Sequence, residues 1–172
     1  MFWGREFAEA PLSEMFSNDL LGKANQYMSY RFESMYIENL GGNKFNVKAL
    51  PKAARFSTVN AISISDFNLD GNLDVMLAGN FYHANIQMGR YDASYGLLLK
   101  GNGRGSFEAL PNTKSGFSVK GQVRKLEKIN VANRTFYLAV RNIDTVEAIT
   151  IDKINGKFVF EIESVNLKRN CD

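Results

Sequence analysis

One pattern returns at a near-constant interval along this chain: an apolar strand, a glycine-rich turn, then a second strand ending in Leu-Pro. Phe45 and Phe107 lie 62 residues apart, as do Asn80 and Asn142, while the Leu50-Pro51 and Leu110-Pro111 pairs lie 60 apart. Residues 35–40 lead through Gly41-Gly42-Asn43-Lys44 into 45–50, and residues 95–100 lead through the glycine-rich run 101–105 into 106–111. Glycine and asparagine at such positions supply the positive φ that hairpin turns require. Each unit reads as strand, hairpin, strand, polar connection, strand, turn, strand. Four antiparallel strands per repeat is the layout of a propeller blade. A third start follows at 148–151, with Asn155-Gly156 as its turn. The expected fold is all-β: a partial β-propeller of two to three four-stranded antiparallel blades over residues 30–172. A twisted antiparallel sheet with coincidental spacing is the alternative.

Residues 1–29 read differently. Leu12, Met15, Phe16, Leu20, Leu21, Ala24, Tyr27 and Met28 recur at helical spacings. Pro11 and Ser13 suggest a start, and Gly22 suggests a break between two short helices. A two-to-three-blade arc cannot close, so it leaves open strand edges and apolar flanks. Either the chain self-associates through them or this helical stripe covers one.

The chemistry concentrates in one loop between two strands. Asp66-Phe67-Asn68-Leu69-Asp70-Gly71-Asn72-Leu73-Asp74 matches the D-x-[DN]-x-D-G pattern of calcium loops. Alternate residues of a tightly curled loop project inward, so the oxygens of Asp66, Asn68 and Asp70 converge. Gly71 permits the turn that aims the Asn72 carbonyl inward, and Asp74 closes the site. Calcium takes 6–8 hard oxygen ligands, and no soft ligand is present to favour zinc. Phe67, Leu69 and Leu73 are expected to anchor the loop to the core. The twelfth position is Leu77 rather than glutamate, and both flanks read as strand, so this is no EF-hand. Without a cation the loop would be an Asx-rich turn whose carboxylates accept backbone hydrogen bonds. Aligning Asn142 with Asn80 sets Lys128, Ala132 and Phe136 opposite Asp66, Asp70 and Asp74, so one calcium site is expected.

Composition removes several function classes. The single histidine, His83, and single cysteine, Cys171, leave little for His-dependent catalysis and nothing for a cysteine zinc site or an intrachain disulfide. Net charge is +3 and the basic residues are scattered, with Lys168-Arg169 the nearest thing to a cluster, so nucleic acid is not an expected partner. No apolar run is long enough to span a membrane, and residues 1–6 do not read as a signal peptide. Arg90, Asp92 and His83 occupy the polar connection between the repeats. They either line a ligand site or form an Arg90–Asp92 contact with His83 solvated. Tyr82, Tyr91 and Tyr95 read as a sugar-stacking platform or as half-buried packing. A hydrolase using Asp92 with Glu108 as the acid–base pair is the enzymatic alternative.

The acidic loop, its preceding strand and the hairpins ending in Phe45 and Phe107 resemble the FG-GAP/VCBS repeats of integrin-like β-propellers. Gly79-Asn80-Phe81-Tyr82 and residues 89–96 look more like the large bacterial VCBS-repeat proteins grouped with ASPIC/UnbV and cartilage-acidic-protein-like sequences. The resemblance covers about residues 30–150 and is strongest over 59–107. It implies a calcium-stabilised propeller, location outside the cell at the surface or outer membrane, and binding of protein or carbohydrate without catalysis. With fewer blades than the four or so that close a propeller, it implies a C-terminal piece of a longer protein.

Overall fold

The structure, a computed structural model, describes residues 4–85, 87, 89–154 and 157–165. The chain divides into two compact units, Met1–Phe32 and Glu33–Asp172.

The first unit holds three short helices: α1 (Arg5–Glu9), α2 (Leu12–Met15) and α3 (Asn18–Lys23). Pro11 precedes α2, where its missing N–H costs nothing. Ser17 caps α3, its hydroxyl accepting from the Leu20 N–H at 3.4 Å. The break therefore falls at Phe16-Ser17 and not at Gly22, which lies inside α3. Residues 24–28 are not helical. Helices of 4–6 residues are far below the length that holds alone in water. Neither α2 nor α3 buries a residue, and Leu12 and Leu20 stay 62% and 59% exposed. The single apolar stripe expected over 12–28 is not formed as one helical face.

The second unit is built from ten strands in three antiparallel sheets among the described residues. A two-stranded sheet pairs β1 (Met35–Gly41) with β2 (Lys44–Ala49). Next comes a four-stranded meander of β3 (Val59–Ser65), β4 (Asp74–Gly79), β5 (Leu97–Gly101) and β6 (Phe107–Leu110). The last is a second meander of β7 (Val123–Val131), β8 (Arg134–Arg141), β9 (Val146–Ile154) and β10 (Lys157–Val165). The hairpin expected near the C-terminus is β9–β10; its turn residues Asn155 and Gly156 lie outside the described residues, as do Cys171, Lys168 and Arg169. None of these sheets closes on itself.

The Leu-Pro pairs end strands by geometry. Pro51 opens a 3₁₀ turn over Lys52–Arg55, and Pro111 opens α4 (Asn112–Ser115). In each, the proline carbonyl accepts the first return bond, from Ala54 N–H at 2.9 Å and from Lys114 N–H at 2.8 Å. Proline suits that position because its fixed φ fits a first turn that needs no donor.

Two faces of the β3–β6 sheet are packed differently. Ala61, Met76, Ala78 and Leu98 face Val123, Leu126, Tyr137, Ala139 and Ile149 of the β7–β10 sheet in one core. On the other face Leu77, Leu97 and Leu99 pack under Leu50, Ala53 and Ala54, with Tyr36 edge-on to Phe107 at 5.5 Å. Strands buried on both faces need apolar runs rather than alternation, which is why 75–78 and 97–99 contain no charge. Burying side chains such as Met76, Leu98 and Leu99 contributes about 1.5–3 kcal/mol each. On β3 the alternation is intact: Ala61 and Ser63 are buried, while Ile62 and Ile64 are 56% and 58% exposed.

Candidate metal centre

The acidic loop spans the gap between β3 and β4, whose pairing begins at Ser65 and Asp74. Leu69 (φ 58°) and Gly71 (φ 85°) take left-handed conformations that curl it. For Gly71 such a φ carries no penalty, which is the reason a glycine stands there. The Asp70 N–H then points at two side-chain oxygens at once, Asn68 Oδ1 at 2.7 Å and Asp66 Oδ1 at 3.1 Å. Asp66 Oδ2 accepts from the Gly71 N–H at 2.8 Å. Asp70 Oδ1 accepts from both the backbone N–H and the side-chain amide of Asn72, each at 2.9 Å. Asn68 Nδ2 donates to Asp70 Oδ2 at 2.8 Å. Asp66, Asn68, Asp70 and Asn72 are thus brought together, as the spacing predicts, and their carboxylates are held by loop N–H groups in the Asx-turn manner.

Asp74 is placed differently from the rest. It is 2% exposed, with Oδ1 accepting from the Gly101 N–H at 2.9 Å and Oδ2 from the Phe67 N–H at 3.2 Å. It ties the loop's first turn to β5. Burial raises its carboxyl above the ordinary value of 3.8; those two N–H groups work against the rise, and the charges of Asp70 and Asp66 add to it. Asp70 goes the other way, down to about 2, chiefly through the Asn72 N–H, with Asn68 and Lys100 contributing.

Lys100 and Gly101 belong to the site although neither is in the motif. Lys100 Nζ lies 3.2 Å from Asp70 Oδ2. A Cβ on Gly101 would sit 2.0 Å from the Leu73 carbonyl oxygen, so only glycine lets β5 approach the loop this closely. The glycine run read as a hairpin turn was the available signal for that contact. Phe67 anchors the loop as expected, buried and edge-on to Tyr137 at 5.3 Å. Leu69 and Leu73 do not; they are 74% and 62% exposed, because the left-handed turn at Leu69 swings that side of the loop outward.

The donor set is all hard oxygen and fits calcium rather than a softer metal. Among the described residues, no three His, Cys, Asp or Glu side chains stand together as a ready-made metal cage. In the β7–β10 sheet the equivalent link is a two-residue turn, Ala132-Asn133, with φ of 45° and 68°. Lys128 lies within β7 opposite Tyr137, and Phe136 pairs with Ile129 as Asp74 pairs with Ser65.

The connection over 80–96 gathers aromatic residues. Phe81 bridges to Tyr91, and the Arg90 guanidinium lies 4.9 Å from the Tyr82 ring centroid. The expected Arg90–Asp92 contact gives way to this stacking, which uses the arginine plane. Tyr91 and Tyr95 are about half exposed, and His83 is exposed near Phe81. Glu108 sits on β6 opposite Lys100, lining a shallow cleft of about 280 Å³ with Asn102 and Ser106 that Asp92 does not line. No helix among the described residues is long and apolar enough to cross a membrane.

No known family model matches the chain, and no curated protein or solved structure is detectably similar to it.

Proposed function

We propose that this chain is a non-enzymatic β-propeller segment of the FG-GAP/VCBS kind, exported to a cell surface, stabilised by calcium at the 66–74 loop, and binding a protein or carbohydrate partner. The observation that carries the reading is the convergence of Asp66 Oδ1 and Asn68 Oδ1 on one N–H, that of Asp70. It sets the first and third oxygens of the motif on the inside of the curl, with the fifth position beside them.

Asp66, Asn68 and Asp70 would hold the ion through side-chain oxygens and Asn72 through its carbonyl. The ion supplies positive charge where the charges of Asp70 and Asp66 add to the cost of ionising Asp74. Asp74 fixes the loop to β5 whether or not the ion is bound.

The propeller reading is supported by two meanders of the same strand order, with matching hydrogen bonds. Asn80 N–H donates to the Thr58 carbonyl at 3.1 Å and Asn142 N–H to the Gln122 carbonyl at 3.0 Å, each just past the second strand of its sheet. The partner surface is the 80–96 connection, where half-exposed Tyr91 and Tyr95 offer flat rings with polar tips.

The test combines calcium titration by calorimetry on chelator-stripped protein with glycan-array binding at high and low calcium. One calcium per chain, abolished in Asp70→Ala, and ligand binding without turnover are expected. Polysaccharide hydrolysis lost in Asp92→Ala would replace this reading with that of a hydrolase.

A further inference from the structure

The β1–β2 sheet has two strands where each of the others has four. Its place in the repeat identifies which two are there. Phe45 and the Leu50-Pro51 pair of β2 correspond to Phe107 and the Leu110-Pro111 pair at the end of β6, so β1 and β2 stand where β5 and β6 stand. In the larger sheet β5 is paired on its other side by β4, through Val75 with Leu99, Met76 with Leu98 and Leu77 with Leu97. Among the described residues nothing pairs with the corresponding edge of β1.

Three further observations bear on that edge. β1 carries one charge, Glu38, and no proline or lysine in seven residues. Most other edges are blunted: β2 carries Lys44 and Lys48, β6 is four residues long, β7 carries Arg124, Lys125 and Lys128, and β10 carries Glu161 and Glu163, while β3, which carries no charge, packs against β7. Second, antiparallel pairing puts Ile62 and Ile64 on the same face as Leu77 and Val75, and hence as Leu97 and Leu99. The segment after β2 covers that face over β4–β6, yet Ile62 and Ile64 remain 56% and 58% exposed. Third, Ile37, Val47 and Phe45 on the outer face of the hairpin are 57%, 38% and 59% exposed.

We propose that β1 accepts an antiparallel strand pair from a partner polypeptide, patterned like β3–β4, which bonds to the β1 backbone and covers Ile62 and Ile64. The proposal rests on the repeat reading above and adds the partner's chemistry: an extended hairpin with apolar residues at alternate positions and no charge on the pairing strand. This is recognition by strand addition, in which main-chain bonds give affinity and alternate side chains give register. The β4–β5 interface supplies the register. A β4-like strand would set its valine opposite Ile37, its methionine opposite Tyr36 and its leucine opposite Met35.

The experiment uses the whole chain and a synthetic peptide copying residues 59–79, which contains the β3–β4 hairpin. Hydrogen exchange followed by NMR should show slowed exchange at the Met35 and Ile37 amides on adding peptide, and none with a scrambled peptide. Ile37→Pro, which removes an edge donor, and Ile64→Lys, which charges the exposed face, should each weaken peptide binding at least about tenfold. Ile64→Lys keeps the test valid should the proline variant unfold the hairpin. Unchanged exchange at millimolar peptide, or full binding by Ile64→Lys, overturns the proposal. So does finding these amides already protected in a concentration-dependent dimer, or protected until residues 1–29 are deleted. Calcium titrated into the chain alone, before any peptide is added, separates the two readings: a calcium response there with no later peptide effect rejects only the strand acceptor.

Discussion

Lys100 Nζ sits 3.2 Å from Asp70 Oδ2, joining β5 to the loop between β3 and β4. Under the proposed function the ammonium holds one of the oxygens that calcium would take, so the two cations would compete. Both side chains are partly exposed, 44% and 31%, so solvent screens the pair and its hold is weak. Lys100→Met should therefore raise calcium affinity by about two- to fivefold, read by calorimetry. Unchanged or weaker binding in the variant would show that Lys100 does not oppose the ion.

The same aspartate gives an acid response with a definite sign. Its folded-state value of about 2 lies below the ordinary 3.8, so ionised Asp70 stabilises the fold above about pH 4 and that contribution is lost as pH falls towards 2. Asp74 has the opposite sign: its raised value means ionisation costs stability as pH rises through it. In calcium-free buffer, Asp70→Asn should lose less stability than the native chain between pH 4 and 2 in urea titrations.

Asp74→Ala should cost stability whether or not calcium is present. It removes the carboxylate that accepts from the N–H groups of Phe67 and Gly101. Each buried N–H left without an acceptor costs about 1–3 kcal/mol. The loss should appear equally in chelator, by urea denaturation, which distinguishes Asp74 from Asp70.

Asn80 is the second polar residue on which this unit depends. At φ 83° and 1% exposed, its Oδ1 accepts from Ser57 Oγ at 2.7 Å and from the Ser94 N–H at 3.0 Å. Its Nδ2 donates to the carbonyls of Ser94 at 2.7 Å and Gly121 at 3.0 Å. These bonds join the segment before β3, the 80–96 connection and the segment before β7. Asn80→Ala removes all four and keeps a left-handed backbone that alanine resists, so a loss of about 3–5 kcal/mol is expected. Asn80→Gly should recover about 1 kcal/mol of that, the backbone share alone.

Much of this was legible in the sequence, and the limits have physical causes. Gly-rich hairpins and the recurrence of Phe and Leu-Pro are local signals, and they marked β1–β2 and β5–β6. The inward oxygens of Asp66, Asn68 and Asp70 follow from loop spacing alone. Lys100 could not be read, because its contact with Asp70 crosses 30 residues and depends on how β5 pairs with β4. The motif position of Asp74 marks it as a ligand, but its burial and its bond from the Gly101 N–H are set by the sheet and are not local signals. Leu69 and Leu73 look like core residues by type, but the loop curled by left-handed Leu69 and Gly71 leaves both exposed. The helical stripe over 12–28 failed where Ser17 captured the Leu20 N–H and restarted the helix.

If the 66–74 loop takes calcium, the β3–β6 sheet should gain stability from it. Ligand that binds only the folded state stabilises by RT ln(1 + [L]/Kd), about 1.4 kcal/mol at a tenfold excess over Kd. Extracellular sites bind at about 10⁻⁴–10⁻³ M, so roughly 10 mM calcium is a sufficient excess. The measurement is the melting temperature in chelator and in calcium, for the native chain and for Asp70→Ala. A rise of several degrees in the native chain, absent in Asp70→Ala, is the expected result. Superimposable melting curves of the native chain in chelator and in calcium would contradict it.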